Sequence, residues 1–372
     1  WNQFGRPLRT AMAFAPLLAS LGLTAWVLAK RFSSAPWREA AATLTTLSIG
    51  ACIALVSQIY QIPGNLANFL LTWTLLSLPL VYLLDASLAA VLYMAGATGW
   101  CIEARAVWSH GIFYWPLMAL VVPHIYGVYR REWGGQRPAF LGWGAALALS
   151  VGVGVSIERN MPGLWIPIYA SLYALTFLVA GFIEADQGAF WRQPLGKCGL
   201  IGGVVLSLLL TMEWPWEEIG WHYYRHEPPY FGMASMVDYL LLIVMFVSVI
   251  VLLVRTLYPR AQGEWVKGLL GLMPLAALVG YSFTAASELV WPPVLFFNLF
   301  VIGLGVAVLG EGTRKGRLAT INGGLAIISA WAVFKFFDGD LSLLLRGLVF
   351  IALGAAFLGV NLVWLRRKER QS

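Results

Sequence analysis

The chain has 372 residues, 59% of them hydrophobic and only 12% charged, with a mean hydropathy of +0.74. An ordinary soluble domain carries roughly 25% charged residues, so this composition leaves no room for a large water-exposed domain and makes lipid the expected surroundings. The net charge of +7 does not point to nucleic acid, because Lys and Arg stand in pairs and triplets at the ends of apolar runs, where anionic lipid head groups and retention on the cytoplasmic side explain them.

Apolar runs of bilayer-crossing length alternate with short basic turns from Ala11 almost to Arg370. They predict an all-α fold, a polytopic transmembrane bundle of about thirteen spans: 11–29, 40–60, 68–84, 86–102, 112–129, 139–156, 163–182, 196–212, 237–254, 267–286, 291–309, 318–336 and 342–365. The whole of 1–372 reads as one transmembrane domain, with 213–236 as a loop within it.

Taken in chain order, Arg6 and Arg9 flank the first run, and Ser57, Gln58 and Tyr60 give the second span a polar edge. Gln61-Ile62-Pro63-Gly64-Asn65 then supplies a turn in which Pro fixes one dihedral and Gly relieves the next. Only Asp85 separates the third and fourth spans. In the fifth, Pro123 frees a backbone carbonyl to which His124 can bond, so a satisfied kink is preferred to catalysis. Glycines at Gly142 and Gly144, Gly152 and Gly154, and Gly303 and Gly305 fall where helices would approach closely, and Glu311 to Gly316 reads as a second turn. Cys52, Cys101 and Cys198 are isolated, which argues against a disulfide framework or a cysteine-zinc site.

Orientation follows from the basic residues. Lys30, Arg31, Arg38, Arg130, Arg131, Arg137, Arg192 and Lys197 share one side with every Lys and Arg of 255–267, 314–317 and 366–370. The other side holds Arg6, Arg9, Arg105, Arg159, Arg225 and Arg346, and Lys335 lies in or near a span. Eighteen against six places the C-terminus in the cytoplasm and, with thirteen crossings, the N-terminus outside.

Four groups of residues are candidates for chemistry. The aromatic outer loop 213–236, with Trp214, Trp216, Trp221 and several tyrosines, reads first as a segment lying among head groups. Its Glu218, His222 and His226, spaced by four, would share a helical face and offer ligands that zinc accepts, although Pro228-Pro229 would end that helix. Arg346 lies beyond Asp340 and Ser342, which can cap the last helix; Asp338, Asp340 and Glu288 are its expected partners, in a structural ion pair or a substrate site. Asn298, Asn322 and Asn361 put one amide into or near each of the last three spans, where interhelical bonds worth about 0.6 kcal/mol are the ordinary use.

No GxSxG elbow, HExxH, Walker loop or Rossmann fingerprint occurs, so no cofactor is expected. Ser57-Gln58-Ile59-Tyr60-Gln61-Ile62-Pro63-Gly64, Trp73-Thr74-Leu75-Leu76-Ser77-Leu78-Pro79-Leu80 and Phe336-Phe337-Asp338-Gly339-Asp340-Leu341-Ser342 with Arg346-Gly347 resemble the bacterial DUF2157-type predicted membrane proteins, over 50–85 and 291–370. The resemblance implies a multi-helix inner-membrane protein and transfers no catalytic residue. The leading expectation is an integral subunit or scaffold of an envelope complex, with membrane lipids and other integral subunits as partners. The alternatives are a transporter or lipid-handling protein, and a membrane enzyme using the 213–236 loop.

Overall fold

In a computed structural model, the residues described are 4–108, 111–157, 163–184, 190–217, 219, 233–257 and 265–338, with isolated positions between 351 and 359. Among them there is no strand. The helices are α1 (Arg6–Trp26), α2 (Ala35–Tyr60), α3 (Leu66–Leu83), α4 (Ser87–Trp108), α5 (Tyr114–Arg131), α6 (Gln136–Ser156), α7 (Trp165–Ile183), α8 (Pro194–Leu209), α9 (Trp214–Glu217), α10 (Met233–Leu257), α11 (Trp265–Ser287), α12 (Trp291–Lys315) and α13 (Leu318–Asp338). A π-helical turn, Val27–Arg31, extends α1.

Ten of these helices are long and apolar enough to cross a membrane. The expected count of about thirteen is therefore approximate. Of the other predicted spans, 112–129 corresponds to α5, of 18 residues, and 196–212 to the shorter α8, of 16. The thirteenth, 342–365, lies outside the described residues.

Helix starts follow local rules, with Pro in the first turn of α1, α2 and α12, where its missing N–H costs no helical bond. Three ends share one motif, in which a left-handed residue lets the next amide bond back to the carbonyl five residues earlier. Gln61 (φ 51°) does this for α2, Asp85 (φ 48°) for α3 and Gly316 (φ 63°) for α12. The closing bonds are Ile62 N to Ser57 O at 3.0 Å, Ala86 N to Val81 O at 3.2 Å and Arg317 N to Gly312 O at 2.9 Å.

Two turn expectations need correction. The reversal after α2 rests on Gln61 rather than Gly64, and Asn65 caps α3 by accepting from Asn68 N at 2.8 Å. The predicted turn 311–316 is helical through Lys315, and only Gly316 and Arg317 make the connection.

The chain divides into two compact units. Unit 1 comprises 1–158 with 180–195 and 232–238; unit 2 comprises 159–179, 196–231 and 239–372. The centre of unit 1 is α4, whose buried Ala89, Ala90 and Ala97 let α2, α3, α5 and α6 pack closely around it. Tyr93 and Tyr114 are buried there, and their hydroxyls donate to Leu117 O and Ala148 O, both at 2.7 Å. In unit 2, α11 and α13 pack on α12 around Phe297, Val301 and Leu304.

Candidate functional site

A densely bonded polar cluster lies at one end of unit 1 and is built on the reversal between α3 and α4. The left-handed conformation of Asp85, which Asp adopts more readily than most residues, presents its carboxylate to three other segments. Arg131 Nη2, from the end of α5, donates to Oδ1 at 2.9 Å. Arg38 Nη1, in the first turns of α2, reaches Oδ2 at 3.5 Å. Arg137, at the start of α6, donates through Nη2 to the Asp85 carbonyl at 2.7 Å, through Nε to Ser87 Oγ at 3.0 Å and through Nη1 to Glu132 Oε1 at 2.6 Å.

A third carboxylate completes the cluster. Glu39 of α2 accepts from Ser87 N at 2.7 Å and Leu88 N at 2.9 Å, so α2 supplies the cap that α4 lacks in its own sequence. The negative charge also opposes the positive end of the α4 dipole. His124 is buried, with Nδ1 3.7 Å from Asp85 Oδ1, too far for a hydrogen bond, while Nε2 has no hydrogen-bond partner among the described residues. Its ring lies edge-on to Tyr82, whose hydroxyl donates to Leu120 O. Three guanidinium groups thus meet the carboxylates of Asp85 and Glu132, Glu39 holds two backbone amides, and the charge is spent on joining four segments.

Unit 2 has a counterpart at the end of α8. Asn298 Nδ2 of α12 donates to Val294 O at 2.7 Å and Thr211 O at 3.3 Å, and its Oδ1 accepts from Trp331 Nε1 of α13 at 2.8 Å. Lys335 Nζ donates to the same Thr211 carbonyl at 2.7 Å. Trp216 Nε1 donates to Leu210 O at 3.0 Å. The carbonyls just past α8, which no helical amide reaches, are therefore covered by side chains from α9, α12 and α13.

The sequence-predicted residues fall variously against these clusters. Asn298 belongs to the second and His124 to the first. Asn322 lies within α13, its Oδ1 buried and without a hydrogen-bond partner among the described residues. Glu288 follows α11 in a left-handed conformation (φ 60°), with its amide bonded to Thr284 O at 2.9 Å. Asp338 ends α13. Asp340, Arg346, Asn361 and the suggested metal ligands Glu218, His222 and His226 lie outside the described residues. The expectation that Trp216 sits among head groups is overturned: it is fully buried against Phe297, with ring centroids 5.8 Å apart, while Trp214 is exposed.

The sequence offers Asp85 only as the separator of two spans, whereas the structure puts it at the centre of the cluster. The signal was there: one acid lies between two apolar runs, and the threading puts it at the same end as the basic turns 30–39 and 130–138.

The architecture defines a multi-pass membrane protein. Residues 1–90 match the model of a family described as "Predicted membrane protein (DUF2157)". The first two stretches that carried the resemblance, 57–64 and 73–80, fall inside that match, and the stretch from Phe336 onward lies beyond it. No curated protein and no solved structure matches the chain.

Proposed function

We propose that the protein is a structural subunit or scaffold of an envelope complex in the bacterial inner membrane, with a cytoplasmic C-terminus. The observation that supports this reading is the use made of charges set among the spans. Glu39, Asp85, Arg137 and Lys335 are bonded to neighbouring segments, which favours rigidity over a titrating or substrate-carrying pathway. Meanwhile α10 presents Leu240, Ile243, Val247 and Val254 on its outside, each more than half exposed, a surface suited to lipid or to apolar spans of other subunits.

The test is extraction of the tagged full chain from its native membrane directly into lipid nanodiscs, followed by mass measurement. A subunit is expected to come out with at least one further polypeptide in fixed ratio. Recovery of the 40.9 kDa chain alone across mild extraction conditions would refute the proposal.

A further inference from the structure

Unit 1 contains a groove of about 1070 Å³ between α1, α2 and α3. Phe14 and Leu21 of α1, Ile49 and Ile53 of α2, and Phe69 and Leu76 of α3 line it. Along α3 the lining runs from Leu66 to Leu80, ~21 Å at the helical rise of 1.5 Å per residue. That exceeds half of a hydrocarbon core about 30 Å thick, so the groove reaches as deep as one leaflet.

Ser57, Gln58, Asn65 and Asn68 put most of the polar lining at one end. Gln58 and Asn68 lie there, both exposed, and their side-chain amides make no hydrogen bond among the described residues. The same end is basic: Thr10, one turn after Arg6, hydrogen-bonds the hydroxyl of Tyr60 at 3.1 Å, which sets the start of α1 beside the end of α2. Neither Arg6 nor Arg9 has an acidic partner among the described residues, and Arg9 Nε is buried without an acceptor. The carboxylates of residues 1–90, Glu39 and Asp85, belong to the opposite end; from Glu39 to Gln61 the chain rises ~33 Å along α2.

We propose that this groove binds a membrane phospholipid, one acyl chain lying between α1, α2 and α3, the phosphate at Arg6 and Arg9, and the ester carbonyls at the amides of Gln58 and Asn68. The charge pattern selects an amphiphile with an anionic group at one end. A docked helix is disfavoured because helices in lipid approach closely over small residues, whereas the bulky Phe14, Leu21, Ile49, Ile53, Phe69 and Leu76 stand along this wall. The guanidinium groups of Arg6 and Arg9 are each planar forks of N–H donors suited to phosphate oxygens. The turn from Ser57 to Gly64, conspicuous in the sequence, thereby acquires a role: it forms the mouth.

The test uses the purified full chain in nanodiscs containing a phosphatidylglycerol with a photoactivatable acyl chain. Crosslinks are expected to concentrate in the peptides spanning 49–58 and 66–80. Arg6→Gln with Arg9→Gln, a change at the membrane surface, should lower their yield about tenfold. Ala54→Trp, which fills the groove, should abolish them with the helical circular dichroism retained. Should that variant fail to fold, the arginine pair still decides the matter. Labelling of α10 as strong as that of α3, equal labelling by a diacylglycerol probe lacking phosphate, yield indifferent to the arginine changes, or crosslinking of a second copy of this chain into the groove would each overturn the proposal.

Discussion

Asp85 combines a backbone role with an electrostatic one, and substitutions separate them. Gly keeps the left-handed turn and deletes the carboxylate, whereas Ala deletes the carboxylate and adds the left-handed penalty of about 1–2 kcal/mol. Removing one partner of a partly buried ion pair costs about 3 kcal/mol or less where water reaches it, as at Asp85, whose side chain is 17% exposed. Thermal unfolding in detergent should therefore rank wild type above Asp85→Gly, and Asp85→Gly above Asp85→Ala; an Ala variant as stable as the Gly variant would contradict the turn's role. Glu39→Ala, which uncaps α4, should cost about 1–2 kcal/mol, and Glu39→Gln less, because an amide oxygen can still accept from Ser87 or Leu88. His124 shows how little of this was readable in advance: Pro123-His124 suggested a ring bonded to a freed carbonyl, but the nearest charge is Asp85, thirty-nine residues earlier.

Helix contacts turn on where backbones come close. A Cβ built on Gly324 would lie 2.7 Å from Gly305 O and 2.6 Å from Leu309 N, so α12 and α13 meet there backbone to backbone. Gly324→Ala should destabilise unit 2 by about 1–3 kcal/mol, whereas Gly303→Ala, where nothing lies within 4 Å, should be nearly neutral; equal melting shifts for the two would refute this packing. The motif around Trp73 has a similar explanation. Its indole donates to Thr46 O at 2.8 Å and lies over Gly50, so Trp73→Phe should cost about 1 kcal/mol through the lost bond, read by the same unfolding assay. The length of the apolar runs located nearly every helix, because twenty apolar residues bounded by charges have few other fates in lipid. It could not tell Gly303 from Gly305, since which side of a helix faces a neighbour depends on where that neighbour stands.

Across the membrane, the bonds within unit 1 place the 30–39 turn, Asp85 and the 130–138 turn at one end, and those of Thr10 with Tyr60 at another. If the end that holds the 30–39 turn, Asp85 and the 130–138 turn is cytoplasmic, a chain with Cys52, Cys101 and Cys198 replaced by Ser should react with a membrane-impermeant maleimide at Asn65→Cys in spheroplasts, and at Ser33→Cys or Gln136→Cys only after lysis. The reverse pattern would invert the topology. By itself the sequence determined the solvent, the helical class and nearly all the spans, because unpaired backbone groups are so costly in hydrocarbon that local composition decides the matter. Only the tertiary structure decided which polar side chains meet. Asp85 with Arg131 and Arg137, Glu39 with the start of α4, and Thr211 with Asn298 and Lys335 are pairings between segments far apart in the chain, and only packing brings them within hydrogen-bond reach.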